Sequence, residues 1–180
     1  MKILKTLGIL VGAVVALLLI IPIFTKKNYA VERSVVIAKP RATVFAYLKL
    51  LKNQDNFSVW AKLDPQMKKS YRGTDGTVGF VSAWDSPKDD VGAGEQEIKK
   101  IEDGKRIDYE LRFLKPFESV SPAHLAFADA AENQTKVTWG MSGRMGYPMN
   151  LMLLFMDMEK MIGKDFETGL QNLKVLLEKN

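Results

Sequence analysis

The sequence contains no cysteine and only one histidine, His124. Without thiols there are no disulfides, no thiolate zinc sites and no cysteine nucleophile. With one imidazole, a histidine metal cluster is excluded as well, and no cofactor or metal is expected. Charge is also absent from one long stretch, Thr6 to Thr25, which reads TLGILVGAVVALLLIIPIFT. The net charge is +5, but Lys2, Lys5, Lys26 and Lys27 flank that stretch, and without them the remainder stands near +1. The basic balance therefore belongs to the flanks of an apolar run rather than to a nucleic-acid-binding face. Elsewhere Lys and Arg alternate with Asp and Glu, as on a solvated surface.

The chain has 180 residues, 47% of them hydrophobic, enough for one globular domain with a real core and a short extra segment. At about 1.5 Å per residue, an uncharged run the length of Thr6 to Thr25 reaches about 30 Å, the hydrocarbon thickness of a bilayer. A cleaved signal peptide is the alternative, but Phe24-Thr25-Lys26 and Asn28-Tyr29-Ala30 fit a small-x-small cleavage site poorly. Residues 1–27 are therefore expected to be a single-pass membrane anchor and residues 28–180 a separate domain. Lys2 and Lys5 argue for a cytoplasmic N-terminus, whereas Lys26, Lys27 and Arg33 argue for the reverse. The reading leans to a bacterial inner-membrane protein with an extracytoplasmic domain. The oligomeric state is left open.

Tyr29 to Ile37 is β-rich and predicts a first strand, ended by Lys39-Pro40. Arg41 to Lys52 carries Val44, Phe45, Leu48 and Leu51 at helical spacing, and Asn53 to Trp60 predicts a second, poorer helical turn. Six strands are expected next: Met67 to Arg72, Val78 to Trp84, Gly94 to Ile101, Arg106 to Phe113, Val120 to Ala128 and Thr135 to Arg144. Gly73-Thr74-Asp75-Gly76 and Asp103-Gly104 are turn signals. Arg106 to Phe113 alternates cleanly, with Ile107, Tyr109, Leu111 and Phe113 on one face. Such strands imply an antiparallel sheet with one side in water. Tyr147 to Asn180 predicts one long helix of roughly 30 residues, apolar nearly all round from Met149 to Met161 and amphipathic thereafter. It is the element large enough to cover the sheet.

This order resembles the helix-grip fold of the START-like (SRPBCC) superfamily, and more narrowly its polyketide cyclase/dehydrase and lipid-transport family. The resemblance is carried by Glu32-Arg33-Ser34, Pro40, Val44-Phe45, Trp60, Val78-Gly79, Trp84 and Gly92-x-Gly94-x-Gln96-x-Ile98. It continues in Arg106-Ile107-x-Tyr109-x-Leu111-x-Phe113, Thr135 to Trp139, and Ile162-Gly163-x-Asp165-Phe166-Glu167-x-Gly169-Leu170. It spans about residues 29 to 179. It implies an α+β fold: a curved antiparallel sheet of about seven strands wrapped on a long C-terminal helix, here with an N-terminal transmembrane helix added. It also implies a cavity between sheet and helix. Because the scaffold carries binders, carriers, cyclases and chaperone activators, the resemblance bears on fold more than on function.

The candidate lining of that cavity is Trp84, Tyr109, Phe113, Trp139, Met141, Met149, Met152 and Met156. Methionine suits adaptable apolar surfaces, although each of these residues taken singly also fits an ordinary core. His124 is expected to point away from Leu125 and Phe127, toward solvent, with no second group to orient it as a base. Asp85, Asp89 and Asp90 match no calcium loop, and Gly92-x-Gly94 lacks the context of a phosphate loop. The leading expectation is a membrane-tethered domain that buries a small apolar ligand, lipid, isoprenoid or polyketide-like. An enzyme of the cyclase or dehydratase type and a protein-interaction module are the alternatives.

Overall fold

The structure is a computed structural model that describes residues 2–179. Met1 and Asn180, the outer bounds of the two expected segments, lie outside the described residues. The first element is α1 (Lys2–Phe24), and among the described residues it is the one helix long and apolar enough to cross a membrane. Its apolar side chains face outward along nearly its whole length. Pro22, near its end, is buried.

Three residues after α1, a sheet of seven antiparallel strands begins: β1 (Asn28–Ile37), β2 (Lys68–Arg72), β3 (Val81–Asp85), β4 (Ala93–Glu102), β5 (Arg106–Lys115), β6 (Ser119–Ala131) and β7 (Gln134–Arg144). Their order across the sheet is β1-β7-β6-β5-β4-β3-β2. Consecutive strands β2 to β7 are joined as neighbours, whereas β1 closes against the last of them, from Asn28 opposite Arg144 to Ile37 opposite Thr135. Strands β1 and β2 thus lie at opposite edges, and the chain between them must cross the sheet. It does so as α2 (Arg41–Lys49), a 3-10 helix (Leu51–Asn56) and α3 (Val59–Leu63).

Arg41 to Lys52 is not one helix, because Leu50 is extended. The chain restarts where the Asp75 carboxylate accepts the backbone N–H groups of Leu51 and Lys52, at 2.7 and 3.2 Å. A side chain distant in sequence supplies the cap that the local residues lack. Strand β3 begins at Val81 rather than Val78, since Gly79 takes φ +87° and a turn occupies Thr77 to Phe80.

The C-terminal region also departs from a single helix. Met149–Leu154 forms a 3-10 helix, and α4 runs only from Met158 to Lys179. The Asp157 carboxylate accepts the Lys160 N–H at 3.0 Å and starts α4 afresh. Asn150, fully buried, donates from Nδ2 to the carbonyls of Pro22 (2.7 Å) and Thr25 (3.1 Å) at the end of α1. The all-round apolar segment therefore packs on α1, while the amphipathic one packs on the sheet through Phe166, Leu170, Leu173 and Leu177.

The core joins α2, α4 and the inner faces of β1 and β4 to β7, and all its buried members lie between Val31 and Leu177. The chain from Asn28 onward thus carries the whole core. On the outer face, Arg112 bridges Glu95, Glu97 and Glu110 at 2.6–3.0 Å, and Glu95 also accepts Arg72. The clean alternation of β5 makes both faces: apolar residues inward, a cross-strand charge ladder outward.

Candidate functional site

Between the sheet and its helical cover lies a cavity of about 280 Å³. The sheet wall consists of Ser82, Trp84, Gln96, Leu111, Phe113, Ala123, Trp139 and Met141. The cover is Leu51, Gln54, Ser58, Trp60, Ala61 and Phe166. All eight wall residues occupy inward positions of their strands, as the pairings Ser82–Gln96, Trp84–Gly94, Gln96–Leu111 and Ala123–Met141 require.

The aromatic wall is built from edge and face contacts. Trp84 meets Phe113 edge-on at 6.1 Å. Trp60 meets both Trp139 and Phe166 edge-on, at 6.1 and 5.9 Å. The Trp84 ring lies where a side chain on Gly94 would stand, so the glycine opposite Trp84 is what lets the indole lie against the sheet. Trp84 Nε1 donates to the Val91 carbonyl at 3.2 Å. The loop that supplies Val91, Asp89 and Asp90 is held against α3. Ser86 Oγ donates to Asp64 Oδ2 at 2.6 Å, and Lys88 Nζ donates to the Leu63 carbonyl at 2.7 Å. The Ser86 hydroxyl keeps the Asp64 carboxyl below its usual range.

The polar groups of the cavity are few. Gln96 is 8% exposed, lines the cavity, and its amide has no hydrogen-bond partner among the described residues. Ser82 and Ser58 add hydroxyls, and Lys69 forms an ion pair with Asp55 at the margin. The exposed members of the lining, Asp89, Asp90, Lys115 and Pro116, mark where the cavity opens.

Of the residues expected to line a cavity, Trp84, Phe113, Trp139 and Met141 stand on its wall. Tyr109 is 3% exposed in the core, with a hydroxyl that has no hydrogen-bond partner among the described residues. Burial pushes its pKa up. Met149, Met152 and Met156 are not on the wall. Met149 and Met152 belong to the 3-10 helix beside α1, and Met156 follows it. Neither Met152 nor Met156 stands across the cavity from Trp139, because the helix that faces Trp139 starts only at Met158 and presents Phe166. Gln96 was not among the expected lining, although its signal is in the sequence. It alternates with Gly94 and Ile98, so a polar residue shares the inward face of β4.

His124 lies on the outer face of the sheet, as its alternation with Leu125 predicts, but it is not solvated. Its side chain is 15% exposed, and its ring covers Gly140. Glu32 Oε1 stands 3.2 Å from Nε2, so a second group is present after all. Burial lowers the pKa of His124 in spite of Glu32. The sheet separates this pair from the cavity. Among the described residues no group of three or more His, Asp or Glu is arranged to hold a metal ion.

A model of the family described as polyketide cyclase / dehydrase and lipid transport matches residues 29–178. No curated protein matches the chain as a relative. Among solved structures, norcoclaurine synthase from Thalictrum flavum is similar with a TM-score of 0.63 at 8% identity, covering 89% of this chain and 92% of that one. Ara h 8.0201 is similar with a TM-score of 0.57 at 14% identity, over 85% of this chain and 99% of that one. A Thermobifida fusca protein solved by NMR gives 0.54 at 21% identity, over 81% and 90%. At these identities the likeness is one of fold.

Proposed function

The chain belongs to the polyketide cyclase/dehydrase and lipid-transport family, and on that footing we propose that it binds a small apolar ligand between its sheet and α4, held at a membrane by α1. The observation that carries this reading is the cavity: about 280 Å³ in volume, walled by Trp84, Phe113, Trp139 and Met141. That volume lies just below the usual range of ligand pockets, about 300 to 1,000 Å³, and suits a compact molecule or one segment of a longer chain. Burying 100 Å² or so of apolar surface is worth roughly 2.5 kcal/mol before the costs of association. Gln96 and its strand partner Ser82 on the wall, with Ser58 on the cover, supply polar groups that orient a hydroxyl or carbonyl of the ligand. The tether reading rests on the length and apolarity of α1 and on Lys26 and Lys27 at its end. Its topology is a single pass, with the domain on the extracytoplasmic side.

The chain from Asn28 on, which holds the whole core, binds an apolar fluorophore such as anilinonaphthalene sulfonate with micromolar affinity and quenches its own tryptophans. Ala123→Leu adds three carbons to the cavity wall and weakens binding at least tenfold in a fold that circular dichroism shows intact. Unchanged affinity in Ala123→Leu places the probe elsewhere and defeats the cavity reading. The full-length chain stays with membranes through carbonate extraction. Release of the intact chain defeats the tether.

A further inference from the structure

The sheet has two ends, and its registers show which features share one of them. Asn28, the first residue of β1 after the α1 connection, pairs with Arg144 at the end of β7. Asn28, Arg144 and Val120 line one shallow groove, and Val120 pairs with Arg112. Beyond that row lie the β5–β6 connection, since Phe113 pairs with Ser119, and the β3–β4 connection, since Ala93 pairs with Lys115. Those two connections carry the exposed residues of the cavity lining. The cavity therefore opens at the end of the sheet from which α1 departs.

That end is apolar and exposed. Phe117 is 75% and Phe155 82% exposed, and Leu114, Val120, Met149 and Leu154 are each half exposed or more. Exposed apolar residues gathered at one end of a domain mark a surface that meets another apolar phase. Its position relative to α1 is set by a clamp. Buried Asn150 donates to the Pro22 and Thr25 carbonyls, and the Met145 N–H donates to the Lys27 carbonyl at 2.8 Å. The 3-10 helix thereby sits level with the last turn of the apolar helix, where Lys26 and Lys27 mark the boundary with water. Charge at this end is mixed: Lys26, Lys27, Lys115 and Arg144 against Asp85, Asp89, Asp90 and Glu118. Lys115 is committed to Asp85 at 3.1 Å.

We propose that this end of the domain seats on the bilayer that holds α1, with Phe117 and Phe155 inserted at the interface, so that the cavity opens onto the lipid and its ligand passes between the two without crossing water. This rests on the tether reading above. Apolar insertion drives the seating, so it occurs on zwitterionic lipid and persists in high salt.

The absence of cysteine makes the test direct. Phe117→Cys, Phe155→Cys and, as a control at the opposite end of the sheet, Asp103→Cys are each made in the full-length chain. Each is labelled with an environment-sensitive fluorophore and reconstituted into phosphatidylcholine vesicles containing brominated phosphatidylcholine. Positions 117 and 155 give blue-shifted emission quenched by the brominated lipid, while position 103 reads as water. If all three read as water while α1 resists carbonate extraction, the seating is overturned and the tether stands. If carbonate releases the chain, seating and tether fall together. The cavity reading is scored separately by Ala123→Leu in solution, so quenching at 117 and 155 without solution binding upholds the seating and removes the ligand.

Discussion

Phe166 of α4 lies nearly parallel to the Trp139 indole of β7, with ring centroids 4.5 Å apart and planes 15° apart. Both rings line the cavity, so the contact that fastens the helix to the sheet is also a cavity wall. Phe166 is 2% exposed, and on α4 the next turn offers Gly169, where a side chain would run into the same indole. Phe166→Ala removes a buried ring and is expected to cost about 3–5 kcal/mol, read from the urea midpoint of the chain from Asn28. A loss below 1 kcal/mol or so would mean that α4 does not depend on this stack.

The methionines beside α1 and the wall residues of the cavity separate in a binding assay. Met152 is exposed on the 3-10 helix, whereas Leu111 is on the wall. In the chain from Asn28, Met152→Asp is expected to leave apolar-probe affinity unchanged. Leu111→Asp puts a charge in the cavity, where desolvation is costly, and lowers affinity at least tenfold. Equal effects from the two would contradict the division between residues beside α1 and residues on the cavity wall.

His124 is the only imidazole, so its titration by proton NMR needs no assignment. Burial, then the positive charge of Arg106, hold its pKa below the ordinary 6.5, while Glu32 acts in the raising direction. Glu32→Gln takes that support away and lowers the pKa further. The fold favours the neutral ring. The resulting stability is whole above pH 6.5 and is lost as pH falls through the folded value. A pKa that rises in Glu32→Gln would mean the two side chains are apart in solution.

The charge ladder on the outer face has its own pH signature. Arg112 depresses the pKa of Glu97, and Arg72 with Arg112 depresses that of Glu95, both below the ordinary 4.5. Lowered carboxylates contribute stability above 4.5 and lose it as pH falls through their folded values. Arg112→Gln is therefore expected to cost about 1 kcal/mol at neutral pH, the upper range for partly solvated pairs. The deficit should close well below pH 4.5. Denaturation at the two pH values measures it, and a deficit that persists in acid would assign the loss to packing of the arginine stem.

The strands, their inward faces and the apolar helix at the N-terminus were legible in the sequence because each rests on a local period. Alternation placed Trp84, Phe113, Trp139 and Met141 on one side of the sheet, and twenty uncharged residues sufficed to mark α1. What lay beyond local pattern was decided by partners distant in the chain. Asp75 restarts the chain at Leu51, and Asn150 ties the 3-10 helix to Pro22 and Thr25. The methionine-rich segment therefore went to α1 rather than to the cavity. Apolar composition says only that a face will be buried, not against what. Gln96 had the right parity for the cavity, but only the assembled sheet leaves its amide unpartnered there. That the cavity opens where α1 departs depends on several strand registers at once, and no window of sequence contains them.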